Sequence, residues 1–297
     1  MSKRTSRILS AIFRQLKSRP NFESVGIEPY RQLLEKSALV FKPHNAIKVE
    51  PFCIKTIEAQ WLNPLQQNKN RILLYVHGGG YIAGSIKSHQ DLASRIAIAS
   101  EAKALIFNYR LAPEHPFPEG LTDVKTVYQW LTSKYGDTHK ISLVGDSAGA
   151  GLTLALLAGL LNDGHPLPTC AALISPWIDL ECKNKAHLEN HEKDPMLTQT
   201  VLKKTARLYT DKDLSNPMIS PINNNFSGLS PVLIQAGEHE VLINDSKILA
   251  QKLKEAGTTV QLEIWEEMFH VWHYFAKYLS EGRKAIHHIG NFIKQYS

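Results

Sequence analysis

Ile141-Ser142-Leu143-Val144-Gly145-Asp146-Ser147-Ala148-Gly149 is the stretch on which the reading of this chain turns. A short apolar, strand-like run (141–144) ends in a glycine. A serine stands between that glycine and a second one, and an apolar, helix-like run (152–161) follows. A serine framed by glycines at a strand-to-helix turn is the arrangement of a nucleophile elbow. The turn is too sharp for flanking side chains, and it holds the hydroxyl clear of the sheet. There the N-terminus of the next helix favours developing negative charge. A glycine-rich helix start alone would not need the preceding strand. Ser147 is the candidate nucleophile.

Working outward, a second glycine cluster, His77-Gly78-Gly79-Gly80-Tyr81, directly follows the apolar run 72–76. Three glycines let the main chain approach a substrate and aim several N–H groups one way, as stabilisation of an oxyanion requires. A plain turn needs fewer. His77 precedes the nucleophile inside this loop and reads as a residue that orients it. Strand-like runs at 72–76, 104–108, 141–144, 170–175, 231–236 and 260–265 alternate with helix-like stretches near 88–101, 120–134, 147–162, 244–256 and 272–295. That rhythm predicts an α/β fold with a mainly parallel central sheet flanked by helices. Shorter runs with period-two alternation, 47–50 and 53–57, precede it, followed by a turn at Asn63-Pro64 and the polar residues 66–70. Residues 180–227 break the rhythm: they hold a helical piece at 197–209 and no strand, the pattern of an insertion over a site.

A serine nucleophile needs a base, and the base needs an acid, expected in the order Ser, acid, His on loops at the carboxyl ends of strands. After the run 260–265 comes Glu266-Glu267-Met268-Phe269-His270, which makes His270 the candidate base. His273, one turn later, reads as structural, and His287 and His288, deep in the last helix, as exposed. After the run 231–236 the chain reads Gly237-Glu238-His239-Glu240-Val241-Leu242-Ile243-Asn244-Asp245, offering Glu238, Glu240 and Asp245 as acids. Asp245 is expected to cap the helix that starts there. Spacing alone does not choose between the glutamates.

Composition excludes other classes. The chain has 297 residues, 43% hydrophobic and 21% charged, which is the make-up of a folded globular protein rather than a disordered or disulfide-stapled one. Its formal net charge of +6 comes from 34 basic and 28 acidic residues. Lys3, Arg4, Arg7, Arg14, Lys17 and Arg19 account for all of that excess, so the body carries no basic face for nucleic acid. Ile8, Leu9, Ile12, Phe13 and Leu16 form an apolar stripe in the same arm, expected to pack as a lid helix, with surface contact to anionic lipid as the sharper option. No run is long enough to be a transmembrane helix. Cys53, Cys170 and Cys182 form no CxxC pair, which fits a reducing compartment, so the expected location is the cytoplasm. His187 and His191 have a metal-ligand spacing but no third ligand or HExxH motif. Neither the GK[ST] of a phosphate-binding loop nor GxGxxG is found. The expectation is no metal and no cofactor.

Taken together, 77–80, the run Asn108-Tyr109-Arg110-Leu111-Ala112-Pro113-Glu114-His115-Pro116-Phe117-Pro118 and 145–149 resemble the hormone-sensitive-lipase-like (family IV) carboxylesterases. Ser175-Pro176-Trp177-Ile178-Asp179 and Asp194-Pro195-Met196-Leu197 are similar to segments of its bacterial members. The resemblance covers about residues 45–295. It implies an α/β-hydrolase fold in which residues 1–45 and 180–227 form a helical cap over a core of 46–179 and 228–297. It further implies Ser147 as nucleophile, His270 as base and the N–H groups of Gly79, Gly80 and Ala148 as oxyanion donors, with Gly78 a lesser contributor and 109–118 a buttress. The family's acid lies in Asp-x-Leu-x-Asp. Leu242 falls in register, which selects Glu240, although Glu240 and Asn244 both depart from the pattern. The expected activity is hydrolysis of short- to medium-chain carboxylic esters through an acyl-serine. An amidase or formamidase with the same three residues, a lipase and a non-catalytic receptor on this fold are the alternatives, the last of which predicts a lost base. The expected partner is a small-molecule ester, with no nucleic acid and no stable membrane insertion; a homodimer stays open.

Overall fold

Strand β3 (Arg71–Val76) is buried along its whole length. Its side chains alternate between two layers, Ile72, Leu74 and Val76 into one and Leu73 and Tyr75 into the other, as the period of a pleated strand requires. A strand covered on both faces is predominantly apolar, and β4 (Lys103–Phe107), β5 (Lys140–Asp146), β6 (Ala171–Ile174) and β7 (Val232–Gly237) are built in the same way. The computed structural model describes residues 11, 26–37, 41, 44–136 and 138–297. The basic residues and apolar stripe of residues 3–19 therefore lie outside the described residues.

With β1 (Ile47–Ile54), β2 (Ile57–Pro64) and β8 (Val260–Trp265), the sheet has the order β1-β2-β4-β3-β5-β6-β7-β8. From β4 to β8 all neighbours run parallel, whereas β1 and β2 pair antiparallel. The two short runs expected at 47–50 and 53–57 are instead two strands meeting at a hairpin, with Ile54 opposite Ile57 and Lys55 in the left-handed region (φ 55°). β1 lies at the edge of the sheet, so Pro51, which has no N–H to donate, fits within it. β2 runs on to Pro64, past the expected turn at Asn63-Pro64.

Helices cover both faces. Helices α1 (Ile27–Ser37), α2 (Ile86–Ser100), α3 (Glu119–Tyr135) and α4 (Ala148–Asn162) precede α5 (Ala186–Glu189), α6 (Gln199–Tyr209), α7 (Ile243–Glu255) and α8 (Ser280–Tyr296). Leu92 and Ile96 of α2 and Ile289 and Phe292 of α8 pack against Leu73 and Tyr75. On the other face Val124, Leu154 and Leu249, from α3, α4 and α7, join Leu74 and Val76. α4 is apolar almost all round and almost wholly buried, as a helix enclosed on every side must be. The expected last helix over 272–295 is two elements, a 3-10 turn (Trp272–Phe275) and α8, because the chain must first turn back from the end of β8. Residues 180–227 contain α5, α6 and a 3-10 turn (Pro221–Asn223) and contribute no strand to the sheet. Among the described residues no helix is long and apolar enough to cross a membrane.

The parallel arrangement has one consequence for chemistry. The carboxyl ends of β3, β5, β6, β7 and β8 all open on the same side of the sheet. They deliver His77, Ser147, Ser175, the 238–240 loop and the 266–270 loop to one region.

Candidate active site

The elbow after β5 is strained as its sequence demands. Ser147 has φ 53° and ψ −120°, a region costing a non-glycine residue about 1–3 kcal/mol. Its N–H donates to the Ile174 carbonyl (2.8 Å), and its own carbonyl accepts from Gly151 (3.1 Å) and Trp177 (3.2 Å), so the conformation is held from both sides. The flanking glycines are there for close approach: a Cβ on Gly145 would lie 2.5 Å from the Gly149 carbonyl oxygen, and one on Gly149 would collide with the carbonyls of Val76 and His77.

Ser147, His270 and Glu240 come together in a continuous line. His270 Nε2 is 2.9 Å from Ser147 Oγ, and His270 Nδ1 is 3.0 Å from Glu240 Oε2. Ser147 is partly open to solvent, His270 is 6% exposed and Glu240 is fully buried. Burial pulls the His270 pKa down, but the hydrogen bond and charge of Glu240, then the charges of Asp194 and Asp146, more than reverse this and leave it above the ordinary value. The other glutamate, Glu238, is exposed, and its Oε2 accepts from the Glu267 N–H (3.0 Å), fastening the two loops rather than bonding the imidazole. Asp245 does not cap α7. Helix α7 begins after Leu242 without a side-chain cap, and Asp245 points away to accept from the N–H groups of Ile178 (3.4 Å) and Asp179 (3.2 Å), with Asn184 and His187 beside it. It is placed one turn too late to cap the helix start.

The glycine loop faces this line. Gly78 N–H is engaged, donating to Asp146 Oδ1 (3.0 Å), whereas the N–H groups of Gly79, Gly80 and Ala148 make no hydrogen bond among the described residues. His77 is buried and stacked on Tyr109 (4.2 Å between ring centres), and its Nδ1 lies 2.8 Å from the Gly78 carbonyl. Burial, with His89 nearby, pushes its pKa down to about 3, so it stays neutral and holds the loop. Tyr109 donates to the His77 carbonyl (2.9 Å), and Arg110 clasps Asp123. The 109–118 run thus braces the loop from below. Arg31 of α1 donates to the carbonyls of Ile82 (2.7 Å) and Ala112 (2.9 Å), while Thr205 of α6 packs against Gly80 and Tyr209 stacks on Tyr81 (4.0 Å).

Three side chains with no role in the sequence reading also organise the site. Asp146, the variable residue of the glycine–serine motif, binds both Gly78 and the Tyr75 hydroxyl (2.7 Å), tying the elbow to the glycine loop. Ser175 Oγ lies 2.7 Å from Glu240 Oε1. Asp194 is buried and accepts from the N–H groups of Met196 (2.8 Å), Leu197 (3.0 Å) and Val241 (3.0 Å), while Asn190 Nδ2 donates to the Glu240 carbonyl (2.9 Å). Ser175 and Asp194 stand in segments quoted for the resemblance, but only tertiary contact reveals what they touch. His273 is structural in its contacts, 2.8 Å from Gln235 Oε1, and His287 and His288 are exposed. His187 is taken up by Asp245 and His191 is exposed, and among the described residues no group of three metal-binding side chains gathers.

Comparison with known proteins agrees with this architecture. A family model described as alpha/beta hydrolase fold matches residues 73–274. The acetyl-hydrolase of Streptomyces hygroscopicus is 39% identical over 272 residues, 90% of each chain. EstE5, in a crystal soaked with p-nitrophenyl butyrate, superposes with a TM-score of 0.92 at 39% identity over 98% of each chain. An esterase from the bacterial hormone-sensitive lipase family gives a TM-score of 0.93 at 34% identity, covering 98% of this chain and 97% of its own. The chain belongs to the α/β hydrolases and, within them, to the hormone-sensitive-lipase-like esterases.

Proposed function

We propose that the chain is a serine carboxylesterase acting on short- to medium-chain esters. The observation that carries this reading is the hydrogen-bonded line Ser147–His270–Glu240 beside three unengaged main-chain N–H groups. Ser147 Oγ attacks the ester carbonyl while His270 Nε2 takes its proton, and Glu240 stabilises the imidazolium. The carbonyl oxygen becomes an oxyanion held by the N–H groups of Gly79, Gly80 and Ala148, each donor worth about 3–4 kcal/mol in comparable sites. His270 then protonates the leaving alcohol. Water, deprotonated by the same imidazole, cleaves the acyl-serine and releases the acid. The acyl side of the pocket is closed by a cap of α1 and residues 180–227, whose contacts with the glycine loop through Arg31, Thr205 and Tyr209 support that division. The name of the Streptomyces relative, an acetyl-hydrolase, favours short acyl groups.

Initial rates on p-nitrophenyl acetate, butyrate, octanoate and palmitate, beside an aryl acylamide, test this reading in the wild-type chain and in Ser147→Ala. Ester turnover that peaks at short chains and drops by about 10⁴–10⁶-fold in the variant is expected. Equal rates in the two proteins would overturn the Ser147 mechanism, and faster cleavage of the acylamide would make the enzyme an amidase.

A further inference from the structure

We infer that Ser175 is a positioning residue of the catalytic machinery, a fourth member that locks the Glu240 carboxylate and joins the acid loop to the base loop. The inference rests on the assignment of Ser147, Glu240 and His270 above. Ser175 stands at the carboxyl end of β6, between the strands that carry the nucleophile and the acid, and is fully buried. Its hydroxyl donates to Glu240 Oε1 (2.7 Å), and its oxygen accepts from the N–H of Val271 (3.1 Å), the residue after the base. Each bond fixes the other: with the oxygen committed to Val271, the hydroxyl proton is directed at the carboxylate.

The second carboxylate oxygen explains why such a group is needed here. A glutamate has one more rotatable bond than an aspartate and must be held at both oxygens to keep one aimed at an imidazole. Oε1 is held by Ser175 and by the Gly237 N–H (2.5 Å), which leaves Oε2 for His270 Nδ1 (3.0 Å). Only a short side chain that donates and accepts at once can do this. Alanine does neither, and aspartate would set a second negative charge against Glu240. Ser175 also has φ 47°, in the left-handed region that favours glycine, yet a hydroxyl-bearing residue occupies it. Its own N–H donates to the Gln235 carbonyl (2.7 Å), which fixes it to the neighbouring strand.

The test is a double-mutant cycle on the full chain with p-nitrophenyl butyrate, using Ser175→Ala and Ser175→Gly, each made alone and together with Glu240→Gln. The glycine variant removes the hydroxyl while relieving the backbone, so one of the pair stays folded, as thermal melting will report. Each single Ser175 variant should lower kcat about 30-fold, or about 2 kcal/mol, with KM unchanged. In the Glu240→Gln background the same change should cost less than about threefold, because the group being positioned is already disabled. An undiminished kcat in the folded single variants, or the same 30-fold loss in both backgrounds, would overturn the inference. Ser147→Ala run alongside separates this from the parent reading: if that variant keeps wild-type turnover, the Ser147 mechanism has failed and the positioning role falls with it.

Discussion

Two carboxylate–imidazole pairs spring from neighbouring positions on the chain after β7, and only one of them is aligned with a serine hydroxyl. Glu240 meets His270 at 3.0 Å, and Asp245, five residues on, meets His187 at 3.3 Å. Both carboxylates are fully buried. Burial pulls each imidazole pKa down, and in each pair the carboxylate more than reverses it. The difference lies at the far side of the ring. His270 meets its carboxylate through Nδ1 and turns its Nε2 to a partly exposed serine hydroxyl, whereas His187 meets Asp245 through Nε2, and its far nitrogen, Nδ1, is buried with no hydroxyl beside it among the described residues. An Asp–His or Glu–His pair is therefore a fastener by default. On the function proposed above, it becomes a base when strand ends bring it a hydroxyl and solvent.

The sharpest way to break the comparison is Glu240→Gln. With the fold kept, it should cut kcat by about 10³–10⁴-fold on p-nitrophenyl butyrate, because the imidazolium formed during attack loses its counter-charge. A smaller effect concerns pH. His270 must be neutral to accept a proton and its pKa is raised, so kcat/KM should fall as pH drops through an apparent value above the ordinary one of about 6.5. That acid limb should move to lower pH in Glu240→Gln, and by less in Asp194→Asn, which removes a more weakly felt negative charge. A limb that stays put in Glu240→Gln would mean that another group titrates.

The second pair should respond the opposite way. Asp245→Asn should leave turnover near wild type but lower stability by about 1–3 kcal/mol, through weakened bonds to Ile178, Asp179 and His187. Thermal melting should show this as a drop of about 2–10 °C. Smallest of all is His288→Ala, which removes an exposed pair with Glu263 (3.1 Å) and should change stability by no more than about 0.5 kcal/mol in a denaturant titration.

Much of this was legible in the sequence, for reasons that differ by residue. The buried strands are predominantly apolar runs, so β3, β5 and β7 announce themselves, as does the glycine-framed Ser147, whose turn tolerates few other sequences. His270 follows from chain order once the strands are counted. The hairpin at 55–56 was harder, since edge strands carry weak patterns and Pro51 imitates a break. Asp245 is deceptive in sequence because a carboxylate near a helix start has an obvious local partner, while its real partners lie 58–67 residues away. The same holds for Ser175, which meets Glu240 and Val271, and for Asp194, which meets Val241: the contacts are with distant loops, and no local period records them.

The bonds from Asn190 and Asp194 to the Glu240–Val241 main chain bear on how this enzyme could diversify. An insertion that merely roofed a pocket could be traded between relatives as a removable part, with specificity changing and the chemistry untouched. Here segment 180–227 and the loop that carries Glu240 share a joint. A chimera that imports another segment 180–227 without an amide and a carboxylate at these two positions would inherit a new pocket together with a slackened base, so selectivity and rate would have to evolve as one trait.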